Sequence, residues 1–164
     1  MEITVQNIVF IILILFTGLS AGLCFTWSNT VTTGISRLDD FGYLSAFQQM
    51  NRTILNPTFF VVFFGPVFIN LINLYFFKSA SNNIIWLLVI ATILYVFGVA
   101  LVTIFGNVPL NEILNNTELT SASEGALKDL RAGFENKWNQ LHHIRTLSSS
   151  MSFLLLLMTI LIKK

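Results

Sequence analysis

The stretch Trp138-Asn139-Gln140-Leu141-His142-His143-Ile144-Arg145-Thr146 holds the side chains of this chain best suited to chemistry. An imidazole gives or takes a proton near neutral pH. A guanidinium holds an oxyanion through fixed N–H donors. An indole offers a flat ring and one donor. Trp138, His142 and Arg145 fall at i, i+4 and i+7, so a helix puts them on one face, which continues through Ser149 and Ser152. The same three types also anchor helices at a membrane surface, so a site lining and an anchoring face are both open readings. His142 and His143 diverge by about 100° on a helix and do not share a metal easily. The chain has no H-x-x-x-H, E-x-x-H or C-x-x-C, and no metal site or cofactor is expected. No phosphate loop, dinucleotide fingerprint or Ser-His-Asp arrangement is legible. The single cysteine, Cys24, lies in an apolar run and reads as a small buried hydrophobe.

The elements that position these residues follow from composition. Of the 164 residues only 10% are charged and 54% are hydrophobic. A soluble domain carries about 25% charged residues, so this chain does not have the charge to cover a water-facing surface. A net charge of +1 gives no basic field for nucleic acid. The expected fold is an all-α, integral membrane four-helix bundle in a single domain over residues 1–164, multi-pass, in the cell membrane if the source is bacterial. Four apolar runs supply the spans, at about 7–27, 58–77, 84–105 and 147–162. The first run reads as an uncleaved anchor, because no Lys or Arg precedes it. Its Gly18-x-x-x-Gly22 allows a close helix approach, and Trp27 suits its interfacial end.

Between spans one and two, Phe41, Leu44, Phe47, Met50 and Ile54 recur at roughly helical steps, which predicts an amphipathic helix. Asn56-Pro57 is a helix-start signal. Within span two, Gly65-Pro66 is a kink site, and Asn70 and Asn73 share a face that must turn inward to find partners. Gly106 to Ser123 reads as a connecting loop. From there one helical pattern, extramembrane over about 122–146, runs into the last span. A helix from Ala122 to Ile162 is about 60 Å long, roughly twice the hydrocarbon thickness, so it projects from the membrane. Lys78, Lys163 and Lys164 fall on one side of such a bundle and Arg37, Arg52, Lys128, Arg131, Lys137 and Arg145 on the other. The positive-inside rule does not decide between the two orientations.

Four pieces, in order along nearly the whole chain, carry a family resemblance: Ala21-Gly22-Leu23-Cys24-Phe25; Phe47-Gln48-Gln49-Met50-Asn51-Arg52 running to Asn56-Pro57-Thr58-Phe59; Asn107-Val108-Pro109-Leu110-Asn111; and Trp138 to Arg145-Thr146. In these the chain resembles the anthrone-oxygenase-like family of small four-helix membrane proteins. The resemblance implies an oxygenase that needs no cofactor and acts on an apolar aromatic substrate of anthrone or quinol type. With the clustered Trp, His and Arg, it points to His142 as the base, since an imidazole titrates near neutral pH, and to Arg145, aided by Asn107 or Asn111, as the oxyanion partner. Trp138 would stack on the substrate, and Asn51 and Asn56 would bind it. The family pattern also admits Asn at position 142, which fits binding there. The alternative is a non-catalytic protein that holds a lipid or quinone, or an accessory subunit docking through the projecting helix. Either way the partners are an apolar small molecule or lipid and the membrane lipids themselves.

Overall fold

The computed structural model describes residues 4–162; Lys163 and Lys164 lie outside them. The described residues form five helices and no strand. These are α1 (Val5–Ile35), α2 (Asp40–Ile54), α3 (Pro57–Phe76), α4 (Asn82–Asn115) and α5 (Glu124–Ile162). All but α2 are long and apolar enough to cross a membrane. Polar side chains cap the starts of all but α4. Thr4 Oγ1 accepts from Asn7 N–H at 3.3 Å and Asp39 Oδ1 accepts from Gly42 N–H at 2.7 Å. Asn56 Oδ1 accepts from Phe59 N–H at 3.0 Å, ahead of Pro57, whose missing N–H is harmless in a first turn.

The four long helices form a ring in which α1 packs on α3 and α5, and α4 packs on α3 and α5. At the end away from α2, Phe10, Leu13, Phe77, Leu88 and Leu156 make the core. At the other end α2 lies across α4 and α5, and Tyr43, Phe47, Leu114, Phe134 and Trp138 form a second core. The first half of α5 is therefore covered on one face rather than bare. Outward faces of the ring are apolar: Phe68, Leu71, Phe97, Phe105, Leu147 and Leu154 are all exposed. Water would penalise a surface of that kind and hydrocarbon does not.

Two extents differ from the sequence reading. The first helix does not stop at Trp27 but continues through a wide π turn, Trp27–Val31, to Ile35. The stretch after Gly106 is not a loop: α4 passes through π turns at Val96–Leu101 and Thr103–Asn107 and runs on to Asn115. Pro109 misleads because proline usually bounds a helix. Here it falls just after the change from π to α geometry, where the helical hydrogen-bond pattern shifts register. The connection to α5 is only residues 116–123.

Small residues set the helix spacing unevenly. A Cβ on Gly18 would stand 2.8 Å from the Phe153 ring, and one on Gly98 would overlap the Ser148 side chain. Gly22, its partner in the expected motif, meets nothing within 4 Å. Inside span two, Pro66 has no N–H for the Val62 carbonyl, and Ser20 Oγ of α1 donates to that carbonyl at 3.0 Å. The Tyr95 hydroxyl of α4 completes the knot, 2.9 Å from Ser20 Oγ and 2.7 Å from the Phe63 carbonyl. Asn70 and Asn73 do turn inward, and Thr92 Oγ1 donates to Asn70 Oδ1 across the helices at 3.1 Å.

Candidate functional site

Trp138, His142 and Arg145 lie on the buried face of α5, at the level where α2 meets the ring. The spacing puts the imidazole against the indole: the rings stack with centroids 4.7 Å apart and 17° between planes. The Arg145 guanidinium sits over the same indole at 5.1 Å. Phe47 of α2 meets Trp138 edge-on at 4.8 Å, and Trp27 of α1 approaches it at 5.5 Å. The indole N–H donates to Asn111 Oδ1 at 2.8 Å. Trp138 is thus held by five side chains before any ligand arrives.

Arg145 can only donate. Its Nη2 lies 2.6 Å from His142 Nδ1, so Nδ1 carries the lone pair and accepts. His142 Nε2 then bears the ring proton and donates to the Cys24 carbonyl at 3.0 Å. Thr146 Oγ1 shares that carbonyl at 3.3 Å. The imidazole is therefore neutral, with a defined tautomer and both nitrogens engaged. Arg145 Nη1 donates to Thr103 Oγ1 at 3.3 Å, and its Nε has no partner among the described residues. Among the described residues the ion pairs found both belong to Arg131, with Asp40 and Glu135, and no carboxylate answers Arg145.

These groups face a cavity of about 140 Å³. Its inner wall is Cys24, Trp27, Thr103, Trp138, His142 and Arg145, and its opposite wall is the phenylalanine face of α3, Phe59, Phe60, Phe63 and Phe64. Phe59 and Phe63 stack on each other in that wall at 4.9 Å. Asn51 and Asn111 also line the cavity, and Asn51 Nδ2 is buried without a partner among the described residues.

Five of the seven expected site residues, Trp138, His142, Arg145, Asn111 and Asn51, are brought to one cavity. Asn107 is behind it, fully buried, donating to the Trp138 carbonyl at 3.2 Å. Asn56 is not among the lining residues, and its amide is spent on the α3 cap and on the Thr53 carbonyl at 3.1 Å. Thr103, Trp27 and the α3 phenylalanines were not expected at the site. Thr103 carried no signal, because a π turn sets its direction. The four Phe at positions 59, 60, 63 and 64 do carry one, since their helical spacing makes a stripe. No three His, Cys, Asp or Glu among the described residues gather closely enough to hold a metal ion.

The fold and cavity define a small protein of four long apolar helices and one shorter helix, with an aromatic pocket served by one buried cation. Residues 59–155 match the family model for anthrone oxygenase, and the chain belongs to that family. The match takes in Thr103, Asn107, Asn111, Trp138, His142 and Arg145, and begins after Asn51 and Asn56. No curated protein and no solved structure matches the chain.

Proposed function

We propose that the protein resides in a membrane and uses dioxygen to oxidise an apolar aromatic substrate of the anthrone or quinol type in the cavity at Arg145. One observation carries this reading. Arg145 is only 7% exposed, has a donor with no acceptor, and has no carboxylate partner among the described residues. A buried, unneutralised guanidinium is costly. A ligand oxygen on which negative charge develops removes that cost, and the gain is largest when the charge is largest. The unpartnered Asn51 Nδ2 adds a second donor to the same cavity.

The chemistry follows for a tricyclic ketone with an acidic methylene. Its oxygen draws the guanidinium from His142, and the Nδ1 lone pair becomes free to take the carbon-bound proton. The electrons left behind delocalise onto the oxygen beside Arg145. The carbanion then gives its electron pair to dioxygen, forming a carbon–oxygen bond. A proton returned by His142 makes the hydroperoxide. Loss of the second hydrogen from that carbon, with cleavage of the O–O bond, yields a carbonyl and water. One dioxygen is consumed per substrate, one atom entering the product. Trp138 and the Phe59–Phe63 wall hold the rings flat.

The test is dioxygen uptake by the purified protein on adding an anthrone. Uptake should be equimolar with quinone formed. Removing an oxyanion donor costs about 10²–10³ in kcat, so Arg145→Ala should fall by that much. Removing a general base costs about 10²–10⁴, which is the expectation for His142→Ala. Full activity in both variants would sink the mechanism. No uptake above the spontaneous rate would leave a cavity that binds a lipid or quinone without reacting.

A further inference from the structure

We infer that the cavity is loaded sideways, from the bilayer, through a portal between the first turns of α3 and the Val108 turn of α4. This rests on the membrane and ligand-binding reading above, and adds the route and the solubility class of the ligand, a molecule dissolved in hydrocarbon. The rim is apolar and open: Leu55 is 64% exposed, Phe60 46% and Val108 37%, while Phe63, Thr103 and Arg145 behind them are buried. The surfaces on either side of the rim are apolar too. Val61 and Phe68 are exposed along α3, and Ile104 and Phe105 along α4.

The aqueous end is capped instead. Gln48 of α2 donates to the Leu114 and Thr117 carbonyls at 2.7 and 2.9 Å, and Arg52 Nε to Asn115 Oδ1 at 2.7 Å. These bonds fasten α2 over the end of α4, and Phe47 presses on Trp138 from above. A second hollow, lined by Gln49, Met50, Thr53 and Asn56, does open on the polar side. Trp27 and Ile54 border both spaces and form the wall between them. A planar hydrocarbon ring meets the apolar rim of Leu55, Phe60 and Val108 on the α3–α4 path, whereas the polar path requires Trp27 or Ile54 to move.

Cys24 lines the cavity and is the only thiol in the chain, so it reports access without any added label site. The experiment reconstitutes the full chain in phosphatidylcholine vesicles. It compares labelling of Cys24 by N-pyrenylmaleimide dissolved in the bilayer with labelling by a charged, water-soluble methanethiosulfonate. The bilayer reagent should label and the aqueous one should not. Each ~1.4 kcal/mol of steric barrier is tenfold in rate, so Val108→Phe should slow the bilayer reagent by about tenfold and Phe60→Ala should speed it comparably. Neither variant should change the aqueous reagent. Faster aqueous labelling, indifference to both rim variants, or a thiol silent to both reagents even in Phe60→Ala would each overturn the portal. The readout is access, so a protein that takes up no dioxygen but labels as expected would refute the oxygenase reading and keep the portal.

Discussion

Replacing Ser20 should matter only as long as position 66 is proline. Pro66 leaves the Val62 carbonyl without its helical donor, and Ser20 Oγ supplies the substitute at 3.0 Å from a fully buried position. A buried acceptor left unpaired costs about 1–3 kcal/mol, and interhelical hydrogen bonds in membrane bundles are worth about 0.6 and at most about 1.7 kcal/mol. Ser20→Ala should therefore cost about 1–2 kcal/mol. A chain of this size loses about 2–4 °C of Tm per kcal/mol, so the melting midpoint should drop by about 2–8 °C. In a Pro66→Ala background the new N–H reaches Val62 as in an ordinary helix. Tyr95 keeps its 2.7 Å bond to the Phe63 carbonyl there. Ser20→Ala should then be neutral within the ~0.5 kcal/mol that independent sites show. The assay is thermal unfolding of the four purified proteins in one detergent, followed by circular dichroism. Equal costs in the two backgrounds would refute the argument, because Ser20 would then be acting through packing and not through the orphaned carbonyl.

Two further outcomes test the supports of the cavity. Gln48→Ala strips both carbonyl partners at the end of α4 and should cost about 1–3 kcal/mol by the unpaired-acceptor argument; Gln48→Glu, whose carboxylate cannot donate, should be no better at pH 8, and thermal unfolding of the pair checks this. Gly98→Ala should destabilise by about 1–3 kcal/mol, the usual cost of overpacking, because its Cβ would collide with Ser148; adding Ser148→Gly should return most of that loss, and a double-mutant cycle reads it.

The helix content and the central face of α5 were legible because they depend on local spacing. Trp138, His142 and Arg145 share a face by arithmetic, and Asn56-Pro57 starts a helix by its own chemistry. What spacing did not reveal was set by long-range contact or by irregular turns. Asn107 and Asn111 stand one helical turn apart, yet Asn111 lines the cavity and Asn107 holds the Trp138 backbone behind it. Thr103 reaches Arg145 from a π turn, which has no sequence signature of its own. The family resemblance implied a binding role for Asn56, and the cap consumes its amide. The role of His142 was only half legible: its chemistry was plain, but not that Arg145 would hold its one lone pair.

Arg145 is proposed to offer the cavity's ligand a donor for an oxygen that carries or develops negative charge. The most direct measurement compares equilibrium binding of anthraquinone and of anthracene, the same tricycle without acceptors, to the wild-type protein and to Arg145→Leu by quenching of tryptophan fluorescence. A hydrogen bond from a charged donor contributes about 1.5–3 kcal/mol. The account therefore predicts that the wild type prefers the quinone by roughly 10- to 150-fold and that Arg145→Leu shows no preference. Equal affinities in the wild type, or a preference that survives the loss of Arg145, would contradict it.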